Sequence, residues 1–181
     1  FVGCGASKAE LFPAKYFLEK NSKTIRVGHY TANEFCHATP AGVNDQAIVI
    51  TCSLGGTTPE TVAASKKAME LGAAVVAVTH DGSSPLAQNA HSVIVHGFEK
   101  NYAAKLEKMT KVLQLAVEIL QVYEGYAYYE EMQTAFGQIY PLIENAVSFV
   151  VPAARKFAQD YKDAPVIYVM SSGATQEVAY A

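Results

Sequence analysis

The 181-residue chain has no basic excess: 14 Lys and Arg stand against 17 Asp and Glu, for a formal net charge of −3. That balance gives nucleic-acid binding no support. No apolar run approaches the ~20 residues of a membrane span, so no membrane partner is expected. There are only three cysteines, Cys4, Cys36 and Cys52. The odd count and the absence of a CxxC pair argue against a disulfide framework and point to a reducing, cytoplasmic setting. Cys4 and Cys52 stand at strand ends and read as small core residues rather than nucleophiles. Two nucleotide signatures are missing as well. There is no Gly-Lys-Ser/Thr and no Gly-x-Gly-x-x-Gly, which sets aside a P-loop and a dinucleotide site. His80 and His91 have no metal-ligand spacing with any other ligand, and His29 and His96 sit in strand patterns as packing residues. No metal and no cofactor are expected.

What the chain does have is a β-branched apolar run over 47–51. It is followed by Ser53-Leu-Gly-Gly-Thr-Thr58 and by a helix that starts at Pro59 with Glu60 in its first turn. Proline suits the first turn of a helix, and Glu60 is favourable to its dipole. A strand, a loop of hydroxyls and glycines, and a helix N-terminus can hold a phosphate on free N–H groups and side-chain hydroxyls. No Lys or Arg lies in the loop, so such a cradle is electrically neutral. The competing reading is an ordinary strand-to-helix turn in which Thr58 only caps the helix.

Along the chain, strand patterns at 1–3, 25–30, 47–51, 74–79 and 92–96 alternate with helical ones at 8–20, 59–71 and, briefly, 85–89. Residues 31–40 read as a polar loop or short helical turn. Continuous apolar strands spaced by helices predict a doubly wound, five-stranded parallel sheet in the flavodoxin-like order, an α/β fold with helices on both faces. Right-handed crossovers then bring Ser7, after the first strand, beside Ser53–Thr58, after the third. Beyond residue 100 the pattern is helical. One run covers 101–125 and a second 129–160, with Gly137, Pro141 and Pro152 predicting breaks or kinks. The tyrosine-rich stretch 123–129 has no interleaved basic residues and reads as a packed helix turn rather than a base-stacking platform.

The run 164–170 is again strand-like, and Gly173-Ala-Thr175 after it repeats Gly5-Ala-Ser7 after the first strand. This short match in the same element order implies an internal duplication. The expected organisation is a first domain over 1–125, a helical linker over 126–164, and the start of a second copy over 165–181. Both ends read as lying inside larger units, with more chain expected on either side.

Gly3-Cys-Gly-Ala-Ser7, Ser53-Leu-Gly-Gly-Thr-Thr-Pro-Glu-Thr61 and Ser83-Ser-Pro-Leu-Ala87 together resemble the sugar isomerase (SIS) domain family, whose members bind phosphosugars. The resemblance implies that Ser53, Gly55, Gly56, Thr57 and Thr58 hold the phosphate and that Ser7 contacts it from the first loop. Many members carry a second Ser where this chain has Gly55, so that position contributes only its backbone N–H. Within the family, the stretch 33–40 is similar to two-domain deglycases of 6-phosphorylated fructosamines. It is also compatible with the isomerase domain of glucosamine-6-phosphate synthases. Leu54, where the synthases tend to have Gln, favours the deglycase. The resemblance implies an enzyme that takes a sugar 6-phosphate or its amine adduct, releases the amine through an enaminol, and forms a homodimer. The alternatives are an aldose–ketose or amino-sugar phosphate isomerase and a non-catalytic phosphosugar sensor. The catalytic Glu and His are expected from a second domain, so no catalytic residue is assigned here. Glu34 and His37 are candidate lining residues of the crevice.

Overall fold

A computed structural model describes residues 1–97, 102–177 and 179, with the side chains of residues 102–105 left out of account. Five strands form one parallel sheet: β1 (Val2–Gly3), β2 (Tyr30–Thr31), β3 (Ile48–Cys52), β4 (Ala74–Thr79) and β5 (Ser92–Val95), in the order β2-β1-β3-β4-β5. The ladder is in register from Val2 against Tyr30 and Thr51, through Ile48 against Ala74, to Val76 against Ser92. This is the expected flavodoxin-like order. The direction of the winding changes between β1 and β3, so the loops after these two strands diverge and leave a crevice at the carboxyl edge of the sheet.

Helices cover both faces. The first core joins Ile50, Cys52 and Val78 of the sheet to Leu11, Ala14 and Leu18, and to Val112, Ala116 and Leu120 of a long helix. The second joins Val2, Val49 and Val75 to Ala32 and Phe35, and to Ala64 and Ala68. The helices concerned are α1 (Gly5–Ala9), α2 (Phe12–Asn21), α3 (Ala32–His37), α4 (Pro59–Glu70) and α5 (Tyr102–Glu124). Apart from the buried Thr51 and Thr79, the side chains of the central strands β3 and β4 are apolar, which is why these segments read as hydrophobic runs.

Several boundaries differ from expectation. The helix expected over 8–20 is two: α1 begins at Gly5, and α2 starts with Pro13 in its first turn. A proline there lacks the N–H that would continue the first helix but fits the start of a second. The strand expected over 25–30 pairs only at Tyr30 and Thr31, because β1 offers only Val2 and Gly3 as ladder partners. Residues 31–40 hold the short α3, capped by Thr31, whose hydroxyl accepts from the Glu34 N–H. The expected helix start at residue 101 lies outside the described residues, as do 178, 180 and 181.

Helix α6 (Tyr129–Tyr161) is continuous across Gly137, Pro141 and Pro152, where breaks or kinks were expected, so these positions do not break it. Each interior proline loses one backbone hydrogen bond, but propagation over 33 residues outweighs that loss. Of the tyrosines in stretch 123–129, Tyr126 and Tyr129 pack as read from the sequence, while Tyr123 and Tyr128 are exposed. Tyr126 meets Phe17 edge-on at 5.3 Å, and Tyr129 donates to Glu118 on α5 at 2.8 Å. The run 164–170 forms no strand: Val166, Ile167, Tyr168, Val169 and Met170 are exposed, with no ladder partner among the described residues. A β-pattern becomes a strand only when a neighbour takes up its backbone groups.

Candidate functional site

The loop between β3 and α4 is fastened to the end of β4. Ser53 N–H donates to the Val78 carbonyl, and the Leu54 carbonyl accepts from His80 N–H and from the Thr79 hydroxyl at 3.0 Å. Gly56 N–H returns to the Ser53 carbonyl, and the Gly56 carbonyl accepts from Leu86 N–H at 2.9 Å. Gly56 has φ +66°, and a Cβ there would collide with the buried Ser84. Gly55 faces open space; the nearest atom to a Cβ there is Thr57 Oγ1 at 3.7 Å. Thr57 is exposed, while Gly55 and Thr58 are half-buried.

The buried Ser53 hydroxyl and the Thr58 hydroxyl lie 2.9 Å apart. Thr58 stands at the N-cap of α4, yet its side chain takes none of the helix N–H groups. The simple capping reading is therefore wrong for the geometry observed. Thr58 turns toward Ser53, and the first-turn amides of Glu60 and Thr61 are left without a side-chain cap. Two hydroxyls and the open N-terminus of a 12-residue helix are a set of donors, without a full charge, of the kind that can hold an anion. Glu60 lies exposed in the first turn, as a carboxylate placed for the dipole does.

The first loop lies alongside. Cys4 caps α1 and receives a contact from the Thr61 hydroxyl at 3.7 Å, tying the first turns of α1 and α4 together. Ser7 lies within hydrogen-bonding reach of the Cys52 thiol, the residue before Ser53. Burial pushes that thiol up to about 11, which makes Cys52 a core residue and no nucleophile at neutral pH. The loops after β1 and β3 thus lie side by side at the carboxyl edge of the sheet, the first carrying Ser7 and the second the Ser53–Thr58 pair.

Glu34 and His37 are exposed on α3, and neither side chain has a hydrogen-bond or ion-pair partner among the described residues. Their helix is docked beside the cradle: Cys36 Sγ contacts the Glu60 carbonyl at 3.8 Å, and Lys67 of α4 donates to the Cys36 carbonyl. His29 stacks on Phe12 at 5.5 Å and bonds the Lys8 carbonyl through Nε2; burial lowers its proton affinity. Sequence reasoning did not single out Ser84 and Thr79, which shape the loop from below. It also missed Lys108, which forms an ion pair with Glu10. The one signal for Lys108 is its phase, four and eight residues before the buried Val112 and Ala116.

The SIS domain model matches residues 1–123. The chain belongs to the SIS domain family. Fructosamine deglycase FrlB of Bacillus subtilis (strain 168) is 35% identical over 180 residues, which cover 99% of this chain and 55% of that protein. The crystal structure of a candidate phosphosugar isomerase from Salmonella typhimurium LT2 superposes with a TM-score of 0.94 at 38% identity, covering 99% of this chain and 54% of that one. A glutamine–fructose-6-phosphate aminotransferase (isomerizing) of Clostridium tetani is 29% identical over 122 residues, 67% of this chain and 20% of that protein. The SIS chain therefore spans about half the length of the first two relatives.

Proposed function

We propose that this SIS chain is the phosphosugar-binding half of a deglycase that acts on 6-phosphorylated fructosamines. The observation that carries the binding site is the Ser53–Thr58 hydroxyl pair beside the uncapped N-terminus of α4. Ser53 and Thr58 donate hydroxyls to the phosphate, Gly55 and Thr57 present backbone N–H groups, Gly56, whose own N–H is taken by the Ser53 carbonyl, shapes the turn that aims them, and Ser7 completes the shell from the first loop. The likeness to a fructosamine deglycase over nearly the whole chain supports the substrate class.

In this reading the open-chain sugar is held by its phosphate, with C1 and C2 directed away from the cradle. A carboxylate of near-neutral pKa takes a proton from C1, next to the C2 carbonyl, to give the enaminol; the proton is returned at C2 to give the C1 imine, and water hydrolyses that imine to the sugar aldehyde and the free amine. That base and a ring-opening histidine come from a second SIS copy that begins near residue 165, after the helical linker 126–164. Glu34 and His37 line the crevice rim or a subunit contact. The apolar residues left exposed on α6, Leu142, Phe149, Val150 and Phe157, fit a homodimer contact. Three unpaired thiols fit the cytoplasm. The likeness to an isomerizing aminotransferase supports an amino-sugar phosphate isomerase as the second reading.

The test is calorimetric titration of the full protein with glucose 6-phosphate, fructose 6-phosphate, 6-phosphofructosyl-amino acids and the unphosphorylated parents, followed by an amine-release assay on the tightest binder. Phosphorylated ligands alone should bind. Ser53→Ala and Thr58→Ala should each weaken them about 10- to 150-fold, as for ~1.5–3 kcal/mol of hydrogen bonding to a charged group. Binding without regard to phosphate, or unchanged affinity in both variants, rules the cradle out. An isomerised product without amine release rules in the second reading.

A further inference from the structure

Between α1 and α5, on the sheet face that carries Cys52, lies a charge pair that the phosphate-binding reading does not use. Lys108 of α5 is the only buried Lys, Arg, Asp or Glu among the described residues, at 5% exposure. Its Nζ forms an ion pair with Glu10, the residue that ends α1 three positions after Ser7. Both charges act on the thiol of Cys52, a buried core residue at the end of β3 that directly precedes Ser53. His96 is buried next to them; its Nδ1 faces the Gly97 carbonyl at 2.9 Å and its Nε2 has no partner among the described residues. Burial lowers the proton affinity of this imidazole, so it adds no charge of its own at neutral pH.

The fold does not need this pair to seat α5. Glu107 accepts from the Gly97 N–H at 2.7 Å, and Lys111 donates to the Val95 carbonyl at 2.7 Å, which already fastens the helix to the end of β5. The apolar stripe Val112, Ala116 and Leu120 supplies the packing. A buried ion pair costs desolvation that its own attraction barely repays, and well-packed apolar residues in its place are often as stable. A cradle made of hydroxyls and amides alone carries no full positive charge, and Lys108 is the buried cation whose charge reaches Cys52, the residue next to Ser53.

We propose that the Lys108–Glu10 pair tunes the affinity of the crevice for phosphosugar, with Lys108 attracting the phosphate dianion and Glu10 opposing it. This rests on the phosphate-cradle reading above. Through low-dielectric protein the two charges act on the dianion with opposite signs, and removing either exposes the other. A pair with only a structural role has no such signature, since loss of either partner then loosens the same contact.

The experiment is calorimetric titration of the full protein and of Glu10→Gln, Lys108→Met and the double variant with glucose 6-phosphate, with glucose as control. Glu10→Gln should tighten glucose 6-phosphate at least about fivefold and Lys108→Met should weaken it at least about fivefold. The double variant should return to within about threefold of the wild type and melt no lower than it. Should Lys108→Met not fold, Glu10→Gln and the double variant carry the same test of sign. Weaker binding in Glu10→Gln, or no change, overturns the proposal while leaving the cradle intact. Failure of the wild type to bind any phosphorylated sugar overturns both.

Discussion

Gly56 is the pivot of the cradle, and its replacement tests the loop geometry without any ligand. At φ +66° an L-residue is strained by roughly 1–2 kcal/mol. A Cβ would also run into Ser84 Oγ and Cβ and come within 2.9 Å of Thr79 Oγ1. Neither neighbour can step aside. Ser84 is 2% exposed with its Oγ accepting from the Ala87 N–H, and Thr79 Oγ1 is committed to the Leu54 carbonyl. Overpacking of this kind costs about 1–3 kcal/mol, so Gly56→Ala should lose about 2–5 kcal/mol in all. For a chain of this size each kcal/mol moves the melting temperature by about 2–4 °C, so a drop of about 4–20 °C is expected in a calorimetric scan. Gly55→Ala is the control. Gly55 has no positive φ and nothing closer than 3.7 Å to its Cβ, so that variant should melt within about 2 °C of the wild type. Equal melting of Gly56→Ala and the wild type, or equal losses in the two variants, would refute this account of the loop.

Two further outcomes are expected. Glu124 at the end of α5 accepts from the Ser22 and Thr24 hydroxyls and from the N–H groups of Lys23, Thr24 and Ile25, which hold its carboxyl well below the usual range. A depressed folded-state pKa stabilises above the unfolded value of about 4.3 and is lost as pH falls below it. Glu124→Gln should therefore lower the melting temperature at neutral pH and flatten its decline below about pH 4; an acid limb parallel to the wild type's would count against the clasp. A thiol reagent at neutral pH should titrate Cys4 and Cys36 in the native protein and Cys52 only after denaturation, because Cys52 alone is fully buried with its thiol pushed up to about 11. Three fast-reacting thiols would contradict that burial.

The parts of the site readable in advance were those whose signals are local. The run 47–51, the hydroxyl loop and Pro59 lie in one short stretch, and each letter has a direct backbone consequence. The convergence of Ser7 with Ser53 was also legible, because right-handed crossovers leave few sheet orders open. Other features were hidden because their causes lie far off in sequence. Ser84 fills the space under Gly56 from 28 positions away, and Glu10 meets Lys108 across 98 positions. The start of α1 at Gly5 was hidden for another reason. Its first residues are small and partly exposed, so they show no apolar period. Helix α6 misled in the opposite direction, since prolines weaken a helix locally while its length sustains it.

The conformation of two glycines bears on the proposed repeat more directly than the letters do. Gly5 and Gly173 both adopt left-handed φ, +51° and +62°. Each follows an extended residue, Cys4 or Ser172, and each opens a helical turn. Nothing lies within 4 Å of a Cβ at Gly5, and only the Tyr16 ring approaches one at Gly173. Crowding therefore does not select glycine at either place; the backbone turn does. The first turn forms at the end of a paired strand, whereas the second follows a run, 166–170, that is exposed and unpaired. The same turn in two such different surroundings is a property of the local sequence, as a duplicated unit requires. The second turn is also anchored to the first unit, through the Lys8–Glu177 ion pair at 3.1 Å, so a second sheet built onto 166–170 would begin beside α1 and α2.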